Sequence, residues 1–199
     1  MHRNWLKGRL AAYRARRPEE SETVSRFEAF VDSHPDCFHR FCRVGHITGS
    51  AWIVDRTEER VLLTHHRKLG RWLQPGGHSD GDPDTLAVAL REAEEESGLE
   101  VRALDDAIFD LDVHLIPALP GEPAHYHFDV RFLVQAGHDR FRLSAESHAL
   151  KWVPAEGIGV LTEEESVLRM ARKWCAARAG RTHSGKSEAA PQRGRIGPG

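Results

Sequence analysis

Glu92, Glu95 and Glu96 stand three and four residues apart. On a helix that spacing gathers their carboxylates on one face, where they repel one another unless a cation lies between them. A hard divalent ion, Mg2+ or Mn2+, is the natural occupant, because such ions take oxygen ligands. Upstream lies Gly76-Gly77-His78, and a glycine backbone can approach an ion closely. A second polar constellation follows later, with His125, His127 and Asp129 on alternate positions. Imidazoles in such a row could bind substrate phosphate or a softer metal than Mg2+.

Helix α-type spacing must deliver the three acids, and the flanking residues supply it. Leu86, Ala89, Leu90 and Ala93 recur at helical spacing and make an apolar face beside the acids. The sequence predicts Asp82 as the helix cap, Pro83 in the first helical position, and a stop at Gly98 with Leu99 packing back over the last turn. The Gly-rich, acidic stretch before Asp82 is predicted as loop.

The segment Gly76–Leu99 resembles the Nudix box, GX5EX7REUXEEXGU with U a bulky aliphatic residue. Aligned on Gly77, the chain supplies Arg91, Glu92, Ala93, Glu95, Glu96, Gly98 and Leu99 at the matching spacings, so the REXXEEXG core is intact. Pro83 stands where the box has its first Glu, and Ala93 is small for its aliphatic position. The resemblance implies an α/β fold, a Nudix-type α/β/α sandwich with a mixed β-sheet, here with an N-terminal helical extension. It implies that Glu92, Glu95, Glu96 and the Gly76 carbonyl hold Mg2+ or Mn2+, and that Arg91 orients the acids. Arg91 also suits a simple pairing with Glu95 one turn on. The family often adds an acid from a loop outside the box, as a further ligand or a general base. Glu146 is the candidate, with an ordinary surface glutamate as the other reading.

The activity implied is metal-dependent cleavage of the pyrophosphate linkage in a nucleoside diphosphate joined to another group, X. The partner would then be a small nucleoside diphosphate derivative. The alternative is a Nudix-fold module that senses a nucleotide without cutting it, which the Pro83 departure keeps open. Isomerisation of a diphosphate occurs on the same fold but would need a suitably placed cysteine, and Cys37, Cys42 and Cys175 lie far from the box in sequence. Substrate contacts are expected from His78 beside the glycines, from Arg71 with Arg67 and Lys68 ahead of the box, and from His127 on the HxHxD strand.

Composition is ordinary for a soluble globular protein. Of 199 residues, 40% are hydrophobic and 29% charged, and the net charge of −2 gives no sign of a nucleic-acid binder. No apolar run is long enough to span a membrane, and the basic start lacks the apolar core of a secretory signal. Three cysteines without metal-ligand spacing read as reduced thiols of a cytoplasmic protein.

Along the chain, residues 1–40 are expected to form an N-terminal helical extension. Its first helix carries Arg3, Lys7, Arg9, Arg14, Arg16 and Arg17 without an acid, and its second helix is capped by Ser21. It is either a layer packed on the catalytic domain or a basic arm for an anionic substrate or the partner subunit of a homodimer. Residues 41–179 are expected to form the domain that the Nudix resemblance implies. Strands are expected at HITGSAWIVD, ERVLLTHH, Glu100–Arg102, Ala107–Ile116 and Lys151–Val153, and in HYHFDVRFLVQ, which alternates as a half-buried strand with His125, His127, Asp129 and Arg131 on its polar face. Thr162 is expected to cap a last helix, and residues 180–199 to form a disordered tail.

Overall fold

A computed structural model describes residues 3–118, 121 and 123–184. Its strands are β1 (Gly45–Val54), β2 (Arg60–His66), β3 (Arg71–Leu73), β4 (Gly76–His78), β5 (Val101–Ile116), β6 (His125–Ala136) and β7 (Ser147–Pro154). The helices are α1 (Arg3–Arg16), α2 (Ser21–Ser33), α3 (Thr85–Ser97) and α4 (Glu165–Ser184), with short 3-10 turns before α2 and α4.

β1 is buried along its whole length, which explains its apolar and small composition. Its side chains alternate between two cores. Ile47, Ala51 and Ile53 pack with buried residues of α1, α2 and α3, while Trp52 and Val54 pack with Val167, Met170 and Trp174 of α4. The result is helices on both faces of a mixed sheet, ordered β3-β2-β1-β6-β5. β1 and β6 pair in parallel from Gly45↔Tyr126 to Val54↔Gln135, and the other pairs are antiparallel.

The sheet opens beside β1. β2 meets β1 at Val54↔Val61, and nearer the start of β1 its neighbour is β4, in the register Thr48↔His78, Gly49↔Gly77 and Ser50↔Gly76. The glycine stretch predicted as loop is therefore a short strand, because β1 supplies the partner that local composition could not announce. Gly49 lets α3 settle directly on β1, since a Cβ there would press into the Thr85 carbonyl and the Val88 side chain.

The termini of several helices differ from expectation. Asp84, not Asp82, caps α3, accepting from the N–H groups of Leu86 and Ala87, while Asp82 accepts from Asp84 N–H and shapes the loop before it. Gly98 closes α3 in the left-handed region at φ 65°, and Leu99 is buried, as the sequence predicts. Ser21 lies inside α2, whose N-cap position is Glu20 without a side-chain cap bond. Thr162 accepts from Glu164 N–H ahead of α4 rather than capping it. The two expected strands around residues 100–116 merge into β5, with irregularities between Ala103 and Ile108 and between Ile108 and Asp110.

The N-terminal helices are a packed layer. Leu6, Leu10, Tyr13, Val24, Phe27, Phe30 and Val31 are buried in the core they share with the sheet, and Phe30 stacks on Phe128 at 3.9 Å between centroids. Their basic residues are engaged locally, Arg14 with Glu28, Lys7 with Asp32 and Arg9 with Asp106. α4 continues through Gly180 to Ser184, so the start of the expected tail is helical, and residues 185–199 lie outside the described residues. Among the described residues no helix is long and apolar enough to cross a membrane.

Candidate active site

α3 and β4 build the site together. Glu96 is 5% exposed; its Oε1 accepts from Gly76 N–H at 2.8 Å, and its Oε2 is buried without a hydrogen-bond partner among the described residues. Burial is the main reason its carboxyl is pushed up to about 8, with the charges of Glu146 and Glu92 adding to the rise. Glu92 is raised for the same reason, with Glu95 and Glu146 contributing and Arg91 opposing. Glu92 also lies against the backbone of Gly77, where any Cβ would collide with its carboxylate. Glycine at 77 thus leaves the space that the Glu92 carboxylate occupies, and a side chain there would displace it.

Arg91 donates to the His78 carbonyl and to Glu92 Oε1, both at 3.1 Å. Its partner is the adjacent Glu92 rather than the expected Glu95. Glu95 is exposed, near enough for its charge to act on Glu92. Glu146, exposed just before β7, is near enough for its charge to act on both Glu92 and Glu96. Arg67 braces that loop, donating to the carbonyls of Ala145 and Ser147, with its own N–H bound to the Glu146 carbonyl. Arg67 is therefore occupied by structure. Arg71 pairs with Glu164 at 2.9 Å across an exposed surface.

The polar positions of β6 are not solvent-facing as the alternation predicts. His125, Asp129 and Arg131 are each at most 5% exposed, and His127 is half-buried. Three rows of polar residues cross the sheet: His46↔His127↔His114, Thr48↔Asp129↔Asp112 and Ser50↔Arg131↔Asp110. Asp129 accepts from Thr48 and Ser50 hydroxyls, from Gln74 and from Arg131. Arg131, Arg169 and Lys173 in turn bind Asp110. These charges can be buried because they are paired, and α4 covers them.

His78 and His127 join His46, His114 and His125 in one cluster, with neighbouring ring centroids 4.8–5.5 Å apart. Burial and the adjacent imidazoles push His78 down to about 4 and His127 to about 2. Successive strand residues point to opposite faces. Gly77 meets Glu92, so His78 turns the other way, and the histidines lie across the sheet from the box acids. Any contact of His78 or His127 with substrate would therefore come from the other face of the sheet than the box acids. Sequence reading missed His46 and His114; the alternation His46-Thr48-Ser50 in β1 was the available signal.

The donor set fits a divalent cation. Several carboxylates converge, one with an unpartnered buried oxygen, on a backbone held open by glycine, and Arg91 is the cation paired with them. The chain's residues 46–175 match the family model described as NUDIX domain, and the protein belongs to that family. A frog (Xenopus laevis) relative named m7GpppN-mRNA hydrolase NUDT17 is 32% identical over 94 residues, covering 44% of this chain and 32% of its own. The chain thus spans about a third of that curated relative's length. Among solved structures, a NUDIX-family hydrolase from Clostridium perfringens aligns with TM-score 0.52 at 23% identity, covering 66% of this chain and 97% of its own. A MutT protein from Methanosarcina mazei aligns with TM-score 0.52 at 20% identity over 69% and 98% of the two chains. These likenesses establish the fold.

Proposed function

We propose that the protein is a metal-dependent pyrophosphohydrolase acting on a nucleoside diphosphate linked to X. The observation that carries this reading is Glu96, a buried carboxylate with one oxygen fixed to the Gly76 N–H and the other unpartnered, in a set of acids short of positive charge. A purely structural helix face gains nothing from such an arrangement.

Glu92, Glu95, Glu96 and the Gly76 carbonyl would hold Mg2+ or Mn2+, which would neutralise diphosphate charge, polarise its phosphoryl oxygens and lower the pKa of bound water. Arg91 fixes Glu92 against the β4 backbone, so that carboxylate is oriented before substrate arrives. Glu146, exposed and near enough for its charge to act on Glu92 and Glu96, would accept a proton from the attacking water. Arg71 is the exposed cation that would meet the substrate's anionic end, once released from Glu164. His78 and His127 would meet the substrate from the opposite face of the sheet.

A panel of nucleoside diphosphate sugars, dinucleoside polyphosphates and capped dinucleotides, the last prompted by the frog relative's name, tests the proposal. With Mg2+ or Mn2+, mass spectrometry should find pyrophosphate-cleaved products, formed more slowly by a factor on the order of 10² or more in Glu92→Gln. Nucleotide binding by calorimetry without product over hours would instead identify a sensor.

A further inference from the structure

The histidine cluster has a geometry of its own. His46 and His127 face each other in register across β1 and β6, and His125 follows on the same face of β6. His127 Nε2 lies 3.1 Å from His46 Nε2 and 3.3 Å from His125 Nε2, and the ligand atoms of the three residues all fall within 4.8 Å of one another. The tautomer of His125 follows from its other nitrogen. Nδ1–H donates to the Pro123 carbonyl at 2.9 Å, which can only accept, so the lone pair of neutral His125 sits on Nε2, toward the cluster.

Three ring nitrogens therefore converge on one point, and a single proton on His127 Nε2 cannot point at both neighbours. A cation can serve all three. A tetrahedral ion with metal–nitrogen bonds of about 2.0–2.1 Å sets its ligand nitrogens about 3.3 Å apart, close to both separations found here. The carbonyl bond to His125 Nδ1 is the outer contact that metal-ligating histidines commonly make. Imidazole ligands favour Zn2+, Co2+, Ni2+ or Cu2+ over the oxygen-seeking Mg2+.

We propose that His46, His125 and His127 form a three-histidine site for a borderline transition-metal ion of the Zn2+ class, separate from the carboxylate set on α3. His78 and His114 flank it, with ring centroids 5.0 and 5.5 Å from His127. Either one, or water, can complete the coordination. His114 is 41% exposed at its side chain, so the cluster reaches solvent on that side. Because the two sets lie on opposite faces of the sheet, each can be filled without displacing the other's ligands.

Untagged full-length protein, stripped with chelator and then held in excess Mg2+ to occupy oxygen ligands, is titrated with Co2+. The expected result is one equivalent bound, with the visible d–d bands of nitrogen-ligated, low-coordinate Co2+. His46→Ala and His127→Ala should each weaken binding by more than the 10–100-fold typical of losing an outer-shell partner, order of magnitude. Glu92→Gln should leave the bands and the affinity unchanged. His125→Gln and His127→Gln, checked by circular dichroism, supply the same test should an alanine variant not fold. Absence of the bands in the native chain, their survival in folded histidine variants, or their loss in Glu92→Gln would each overturn the site.

Discussion

Asp110, Asp112 and Asp129 are met by Arg131, Arg169 and Lys173, whereas Glu92, Glu95, Glu96 and Glu146 are met by Arg91 at Glu92. Each group has buried carboxylates, yet the titration shifts of Asp110 and Asp112 run opposite to those of Glu92 and Glu96. Burial pushes Asp110 and Asp112 up, but hydrogen bonds and the neighbouring guanidinium and ammonium groups outweigh it, and both end below the ordinary carboxylate range. At Glu92 and Glu96 burial wins, and both end above it. The first group is a finished structural network. The second keeps a buried carboxylate oxygen without a partner among the described residues, and under the proposed function a cation from outside would complete it.

The largest effect is expected where the balance is closed. Asp110 has no solvent exposure and touches Arg131, Arg169 and Lys173. Asp110→Asn removes the carboxylate all three share, leaving Arg131 with Asp112 and Asp129, Arg169 with Asp112 and Lys173 with Glu20, and should cost about 3–5 kcal/mol in urea unfolding. Turnover per folded molecule should not change. A loss under about 1 kcal/mol would mean that the network is not balanced as described.

Glu96→Gln should do the reverse. Turnover should drop by a factor on the order of 10², about 2.7 kcal/mol of transition-state stabilisation, while the fold survives. Wild-type rates in both Glu96→Gln and Glu92→Gln would sink the assignment of the box acids.

The same contrast appears in pH. Asp110 and Asp112 have folded pKa values below their unfolded ones, so their contribution is present above the ordinary carboxylate range and fades as pH falls below about 4. Glu96 has a folded value raised from 4.5 to about 8. In chelator, the folded state therefore binds a proton that the unfolded chain has lost, and stability declines as pH rises from about 4.5 to 8. Melting temperatures in chelator should show Glu96→Gln more stable than wild type at pH 8, with the gap closing toward pH 5. Added Mg2+ or Mn2+ should erase the wild type's decline. A pH-independent gap would remove the burial of an ionised Glu96 as its cause.

How much of this contrast was legible in the sequence follows from range. α3, its acids and its closing Gly98 depend on spacing within a few turns, and their periodicity shows them directly. β1, β2 and β6 likewise stand out by apolar and β-branched content. β4 does not, because Gly76-Gly77-His78 becomes a strand only by pairing with β1. Asp84 displaces Asp82 as cap by one alternate register of acids that composition cannot rank. The pairing of Arg131 with Asp110, and of His46 with His127, depends on strand register across residues 21 and 81 positions apart. Nothing local encodes that register. Hence the open carboxylate set was readable in one stretch, and the closed network and the histidine cluster were not.

The smallest effect concerns a cation belonging to neither group. Arg71 is 61% exposed at its side chain and pairs with Glu164 at 2.9 Å. An exposed pair of this kind holds at most about 1 kcal/mol, so Arg71→Ala should shift stability by no more than about 0.5 kcal/mol. Its effect on kinetics separates two roles. If the guanidinium receives the substrate's phosphate, KM should rise about tenfold, the scale of one charge-assisted hydrogen bond, with kcat nearly unchanged. Glu164→Ala, which frees the guanidinium, should then lower KM, and both changes should shrink at high salt because the contact is exposed. A KM within twofold of wild type in both variants would leave Arg71 as a surface ion-pair partner. The deficit at the box acids would then be met by the metal and not by the protein's own cations.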